Sequence, residues 1–242
     1  MLTAESLVSK VVVFVVEKTV GKLVALPFDK KRKACRALTK LYCCVQCLDD
    51  ITEDFLRSLD DFRESGNAFA VVNSLNNHSY EIELATNMFV DLGHELYGGL
   101  EIIDPALAQC CHALYISKGD FLSFMSNSIH WDRSTSPAKI VVKVPQGSME
   151  SVDMESMYQQ TADALRSGEK HYWPSSAFDD FREDFQDISI GWESEEAAAQ
   201  LHEMVLRQNA ALKEAKERLR NLIKDSFSIE EVLFQTDSHP YR

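Results

Sequence analysis

Apolar residues recur every three or four positions along much of this chain, which is the spacing that keeps them on one face of an α-helix. The longest such pattern predicts a helix from about residue 30 to residue 64. Asp29 stands where it could cap the N-terminus of this helix, and Ser65-Gly66 is expected to end it. The apolar positions that carry the pattern are Ala34, Ala37, Leu38, Leu41, Val45, Leu48, Ile51, Phe55, Leu59 and Phe62.

The segment before this helix is also predicted to be helical, from residue 4 to residue 26, and Pro27 is expected to end it. Its apolar residues gather near one face and its charged residues on the other, so the helix is amphipathic. The apolar positions are Val8, Val12, Val15, Val16, Leu23 and Leu26, and the charged ones are Lys10, Glu17, Lys18 and Lys22. Because valine favours strands over helices, a strand at 11–16 is an alternative.

Two further helices are predicted in the middle of the chain. The first runs from about 67 to 97 and is expected to break at Gly98-Gly99. The second begins at Asp104-Pro105, where a capping residue precedes a first-turn proline, and is expected to end near Trp131.

Residues 138–144 are the one convincing extended segment, because they hold a β-branched run flanked by Ser, Pro and Gly. A lone strand needs a partner, so we interpret this segment as a docked linker rather than part of a sheet. A short helix at about 150–167 and a long one from after Ser194 to about 226 complete the prediction. The expected fold is all-α, a bundle of four or five long antiparallel helices with a minor extended segment near 138–144.

This order of elements divides the chain into three predicted parts. Residues 1–135 would form an N-terminal helical bundle with a basic amphipathic first helix, and residues 136–149 a linker with a short strand. Residues 150–242 would form a C-terminal helical segment that packs on the bundle or on a partner.

The last long helix has the strict four-three alternation of a coiled-coil seam, with Gln208 as its one polar core position. A helix of the chain's own bundle and an intermolecular coil both fit this stripe. In the second case Gln208 and Leu212 would bind a protein partner or a second copy of the chain. Phe178, Phe181 and Phe185 have the spacing of helix anchors in a partner's groove, or they dock on the chain's own bundle.

Charge is distributed unevenly along the chain. Residues 1–40 hold nine Lys/Arg and three Asp/Glu, a net of +6, whereas the whole chain has a net charge of −13. The acidic remainder argues against a general nucleic-acid-binding protein, which needs many cations on one face. A basic amphipathic end on an acidic body favours an anionic membrane surface as the partner.

The predicted membrane-binding residues belong to the apolar run of the first helix and to the basic cluster that follows it. They are Val11, Val12, Phe14, Val15, Val16, Lys22, Lys30, Lys31, Arg32, Lys33 and Arg36. The cations at 30–36 stand at a helix N-terminus, where the helix dipole disfavours them, so folding alone does not explain their position. The alternative is a solvated face that pairs with acidic residues of the same chain, such as Asp179, Asp180 and Glu183.

The six cysteines lie in predicted helices, and no signal-peptide order of basic, apolar and small residues precedes them. We therefore expect free thiols in a cytoplasmic protein that is at most peripheral to the inner face of the membrane. No stretch reaches the roughly 20 apolar residues that are needed to span a bilayer.

Patterns that would indicate catalysis or metal binding are sparse. Arg166 and His171 match the bare Arg-x4-His pattern of helical ribonucleases, although Gly168 interrupts the spacing. Cys44-x-x-Cys47 has no His at the spacing of a zinc site and fits small core residues better. Apart from the Arg166–His171 pair, the sequence predicts no catalytic residue, and it predicts no metal and no cofactor.

An amphipathic N-terminal helix, a basic junction and then long helices with free cysteines resemble the N-terminal bundles of membrane-acting cell-death effectors, the HeLo and mixed-lineage kinase-like types. The residues that carry the resemblance are 7–64, above all Val11–Val16 and Lys30–Lys40. The resemblance implies that release of a helix, or oligomerisation, leads to membrane damage. Antiviral defence modules of bacteria use similar effectors.

The leading hypothesis from the sequence is a non-enzymatic, membrane-associating helical effector that oligomerises at an anionic membrane, in cell death or antiviral defence. The alternative is a regulatory or scaffold subunit that binds a protein partner through its helical surfaces. A helical ribonuclease is the third hypothesis.

Overall fold

The computed structural model describes residues 2–66, 95–113, 129–132, 139–145, 153–168, 185–190 and 195–236, and four isolated residues at 71, 73, 87 and 134. The described part is mostly helical, which confirms the predicted all-α class. Its helices are α1 (Leu2–Thr19), α2 (Phe28–Ser65), α3 (Pro105–Ala113), α4 (Met154–Ser167), α5 (Glu195–Ser226) and α6 (Ile229–Thr236). A short 3-10 helix, Leu23–Ala25, lies between α1 and α2, and residues 95–103 are helical as well.

The connection between α1 and α2 departs from the predicted helices. α1 ends at Thr19 instead of continuing to residue 26, because Gly21 takes a left-handed conformation with φ +80°. α2 begins at Phe28 with Pro27 as its N-cap, so the prediction of Asp29 as N-cap is wrong. Asp29 lies in the first turn instead, where its negative charge still interacts favourably with the helix dipole. At 11–16 the chain is helical and does not form the alternative strand.

The core lies where α5 packs against both α1 and α2. α2 and α5 are antiparallel, since Asp60 of α2 contacts His202 of α5 and Glu53 contacts Lys213. Arg218 of α5 reaches Glu17 of α1 at 3.5 Å, which places the C-terminal ends of these two helices together. The predicted apolar stripes of α2 and α5 are buried, including Phe55 and Leu201, and this core contains Leu38, Leu48, Leu212 and Leu219.

The helical segment at 95–103 passes through Gly98-Gly99 without a break, so the predicted interruption there is wrong. The reason is tertiary packing, because Gly99 lies against α2 where only a residue without a side chain fits. α3 then begins as predicted. Asp104 Oδ1 accepts hydrogen bonds from the backbone N–H groups of Ala106 at 3.0 Å and Leu107 at 3.2 Å.

A three-stranded antiparallel sheet accompanies the helices, in the order β1 (Ile129–Asp132), β2 (Lys139–Pro145) and β3 (Phe185–Ile190). β2 is the predicted extended segment, but it is the central strand of this sheet and not a docked linker. Trp131 lies in β1 and pairs with Ile140 of β2, so the prediction of a helix that ends near Trp131 is also wrong. Both errors have one cause, because short strands are stabilised by partners that lie far away in sequence.

α4 and α5 agree with the predicted helices to within a few residues. Asp153 caps α4, and its side chain accepts a hydrogen bond from the Ser156 backbone N–H at 2.9 Å. α6 follows α5 after a two-residue connection and packs against α2. α6 was not predicted.

Candidate functional site

The apolar residues of α1 that were predicted to bind a membrane lie inside the protein. Val12 and Val15 are fully buried, Phe14 and Val16 are nearly so, and Val11 is partly buried. The Phe14 ring packs edge-on against Tyr158 of α4, with 5.9 Å between the ring centroids. In this packed state α1 does not offer these side chains to a bilayer, and contact through them would require α1 to leave the core.

Most of the basic residues from α1 to the middle of α2 are paired with carboxylates of the same chain. Lys18 bonds to Glu155 at 2.7 Å, Lys22 to Asp104 at 2.5 Å, Lys31 to Glu231 at 3.6 Å, and Arg36 and Lys40 both bond to Glu95. This is the alternative arrangement that the sequence left open, although with different partners. Asp179, Asp180 and Glu183 lie outside the described residues.

Lys30 and Lys33 differ from these neighbours. Both are exposed, and neither forms an ion pair with any residue that the structure describes. Arg32 lies with its guanidinium over the ring of Phe28, 6.0 Å from the centroid. The first turns of α2 therefore hold two exposed lysines without an ion pair among the described residues, and an aromatic side chain that Arg32 partly covers.

Lys22 lies in the connection between α1 and α2 and joins this connection to the start of α3 through Asp104. Asp104 also accepts a hydrogen bond from the Tyr158 hydroxyl at 2.6 Å. Burial alone would raise the pKa of Asp104, but the hydrogen bonds from Lys22 and Tyr158 outweigh it and lower the pKa. Burial and the hydrogen bond to Asp104 raise the pKa of Tyr158 to about 12. The cluster is a structural junction of the α1–α2 connection with α3 and α4.

Exposed apolar side chains cluster at one end of the bundle. We call it the α1–α2 end and define it as residues 20–33 and 227–233, which meet because Lys31 contacts Phe227 and Glu231. Seven large apolar residues of the described part are exposed, and five lie at this end. These five are Val20, Val24, Phe28, Ile229 and Leu233, with Val24 at 77% and Phe28 at 66% exposure. Single exposed apolar residues are ordinary, but a cluster marks a contact surface.

The same end is basic in an acidic protein. Residues 20–33 hold five Lys/Arg and one Asp, while the chain as a whole has a net charge of −13. The other half of this end, residues 227–233, holds two acidic residues, Glu230 and Glu231 of α6. Val20, Val24 and Phe28 were missed by the sequence-based prediction. The available signal was that they flank Gly21 and Pro27, where a turn exposes what a helix would bury.

The residues that were predicted to bind a protein partner differ from one another in burial and in secondary structure. Leu212 is fully buried in the core that α5 shares with α1 and α2, so the seam of α5 is filled by this chain itself. Gln208 is partly buried, and its Oε1 is buried without a hydrogen-bond partner among the described residues. Phe185 lies in β3 and not on a helix, so the predicted helical anchor set is wrong for it. Phe178 and Phe181 lie outside the described residues.

The described residues include only one member of the ribonuclease pair, Arg166. Arg166 is exposed near the end of α4 and bonds to Asp163 at 2.6 Å. α4 ends at Ser167, and His171 lies outside the described residues. In the part of the chain that is described, no group of three or more His, Cys, Asp or Glu residues could hold a metal ion. The six cysteines are free thiols.

Among the described helices, none is both long and apolar enough to cross a bilayer. Comparisons of the chain with protein-family models, with curated proteins and with solved structures found no match.

Proposed function

We propose that this protein binds anionic membrane surfaces peripherally, through the α1–α2 end of its packed bundle. The observation that carries the proposal is the exposure of Val24 and Phe28 close in sequence to Lys30 and Lys33, which are also exposed and have no carboxylate partner among the described residues. Apolar side chains next to cations are the combination that binds the boundary between lipid headgroups and acyl chains. The apolar part of this surface differs from the one that the sequence predicted, because the valines of α1 are packed in the core, whereas Lys30 and Lys33 are among the predicted residues.

Two energetic contributions would act together at this surface. Full burial of a side chain such as Val or Phe contributes about 1.5–3 kcal/mol, and insertion among headgroups would gain part of that for each residue. A Lys or Arg near an anionic leaflet adds about 1 kcal/mol. One weak signal gives only marginal binding, whereas apolar insertion and basic attraction combined hold a protein at the surface.

The charge of the remaining protein would set the orientation. The chain has a net charge of −13 in spite of the five Lys/Arg at 20–33, so its other surfaces are repelled by an anionic leaflet. Among the described residues, most of the exposed large apolar side chains lie at the α1–α2 end, together with its cations. A further role in membrane damage, as the resemblance to cell-death effectors implies, would require α1 to leave the core after this first contact.

Vesicle flotation tests the apolar half of the proposal. The double variant Val24→Ser with Phe28→Ser removes the two most exposed apolar side chains of residues 20–33 without a change of charge. We expect it to lose about tenfold or more of the binding to vesicles that contain anionic lipid. Leu206→Ser is the matched control, because Leu206 is also exposed but lies on α5, away from this end. The control should bind like the wild type.

The contribution of the cations is tested with the double variant Lys30→Gln and Lys33→Gln. The control is the double variant Arg57→Gln and Arg63→Gln. Both pairs remove two positive charges from α2, but the second pair lies toward its opposite end. Loss of two contacts of about 1 kcal/mol each predicts a reduction of about 30-fold for the lysine pair only. Binding that does not depend on anionic lipid, or equal effects of the two pairs, would contradict the proposal.

A further inference from the structure

α6 lies on the start of α2 and is held there by few interactions. Lys31 Nζ lies 3.6 Å from Glu231 Oε2 and 5.6 Å from the centroid of the Phe227 ring. Ser228 and Glu231 cap the helix reciprocally, since the Ser228 N–H donates to Glu231 Oε2 at 2.8 Å and the Glu231 N–H donates to Ser228 Oγ at 3.2 Å. Phe227 is buried, and Val232 packs partly buried against the core.

The opposite side of α6 carries large apolar side chains in solvent. Ile229 is 78% exposed and Leu233 is 56% exposed, and the two are four residues apart on the same side of the helix. A helix that is docked for stability alone directs its large apolar side chains at the core. α6 directs Val232 at the core and Glu231 at a cation of α2 but leaves Ile229 and Leu233 in water, so core packing accounts for only part of its arrangement.

α6 also changes the charge that the start of α2 presents. Four cations stand in a row from Lys30 to Lys33, and Glu231 neutralises Lys31. Hydrogen bonds from Ser228 and the charge of Lys31 lower the pKa of Glu231, so its carboxylate is ionised at neutral pH. Glu230 is exposed and adds a second negative charge beside it. The helix thus weakens the attraction that an anionic surface would feel.

We propose that α6 is a displaceable acidic strap, which masks the basic start of α2 and moves off Lys31 when the headgroups of an anionic membrane replace Glu231. This inference rests on the proposed function. A partly exposed ion pair contributes little to stability, and a helix of eight residues is not stable by itself. Displacement therefore costs mainly the partly buried contact of Val232, frees Lys31 for the headgroups, and allows Ile229 and Leu233 to enter the boundary of the bilayer.

A matched pair of full-length variants tests the strap. Glu231→Gln removes one charge together with the contact to Lys31, whereas Glu230→Gln removes one charge from a residue that has no ion pair among those described. On vesicles of phosphatidylcholine with phosphatidylserine, we expect Glu231→Gln to bind about tenfold more tightly than the wild type. Removal of one surface charge is worth at most about fivefold, which is the increase expected of Glu230→Gln.

Hydrogen exchange of the unmodified chain gives a second readout that does not depend on a variant. The strap predicts that the backbone amides of α6 lose protection when the vesicles are added. If the wild type binds but α6 keeps its protection and the two variants bind alike, the strap is wrong and the proposed function stands. If neither the wild type nor Glu231→Gln binds anionic vesicles, the proposed function fails and the strap fails with it.

Discussion

A Cβ atom on Gly99 would lie only 2.5 Å from the Cβ atom of Ala37, so the helical segment at 95–103 packs directly on α2. The backbone of α2 is close as well, with Lys33 O at 3.4 Å and Ala34 Cα at 4.0 Å from that position. This close contact brings Glu95 to Arg36 and Lys40, and its one carboxylate pairs with both cations. Lys30 and Lys33, nearer to the start of α2, form no ion pair with a residue that the structure describes.

Gly99→Ala should therefore destabilise the protein in spite of the higher helix propensity of alanine. The added methyl group meets another side-chain carbon and nearby backbone, and overpacking of this kind costs about 1–3 kcal/mol. Gly98→Ala is the control, because nothing lies within 4 Å of its added Cβ and alanine is favoured in a helix. Urea unfolding should show the two variants shifted in opposite directions, and a shift in the same direction would refute the packing argument.

Asp104→Asn should lower stability at neutral pH and lose its effect in acid. The folded pKa of Asp104 is lowered from its ordinary 3.8, so its ionised form stabilises the fold above that pH. This contribution disappears as the pH falls through the lower folded pKa. Asparagine can still cap α3 but cannot pair with Lys22, which predicts a loss of about 1–2 kcal/mol at pH 7 because Lys22 is partly exposed. The difference between the urea midpoints of the two proteins should begin to shrink as the pH falls below 3.8 and vanish below the folded pKa, and a constant difference would contradict this account.

Lys216→Met should destabilise the fold more than Lys213→Met does. Lys216 and Asn209 bind the carboxylate of Asp49, which is almost completely buried between α2 and α5. Without Lys216 that charge stays buried with one amide donor, at a cost of about 3 kcal/mol. Lys213 pairs with Glu53 at the surface, where the loss is below about 1 kcal/mol. Thermal unfolding of the two variants measures the difference, and equal losses would show that the Asp49 cluster is not a buried ion pair.

Gln208→Leu should raise stability by about 1 kcal/mol. Gln208 is the polar position in the apolar stripe of α5, and its Oε1 is buried without a partner among the described residues. Replacing a buried unsatisfied acceptor with an apolar side chain of similar size removes that penalty. Size-exclusion chromatography with light scattering should show the mass of the protein unchanged, because the seam is filled within one chain. A less stable or dissociated variant would indicate that Gln208 binds a partner.

The long helices could be predicted from the sequence because each carries its own evidence. The stripes of α2 and α5 repeat over many turns, and the structure places their ends within about two residues of the predicted ones. The capping of α3 by Asp104 is likewise a local pattern. Helix periodicity alone was sufficient where the apolar face, the cap and the ending residue agree.

The remaining features depend on neighbours that are distant in sequence. In the sequence Gly99 has the character of a helix breaker, and its packing against Ala37 of α2 is seen only in the fold. In the same way β2 has no visible partner in the sequence, whereas in the fold it pairs with β1 and β3. Val12 and Val15 illustrate the main ambiguity, since a core and a membrane both require an apolar helix face. Val24 and Phe28 are candidates for membrane contact because α1 ends at Thr19, which the sequence did not predict.

The most direct test of the membrane account is hydrogen exchange of the full chain with and without vesicles that contain phosphatidylserine. The account predicts that backbone amides at 20–33 gain protection on vesicle addition, because this end enters the headgroup region. Amides at 12–16 should keep the protection that they have in the core. Changed exchange at 12–16 with none at 20–33, or no change in either segment, would contradict binding through the α1–α2 end.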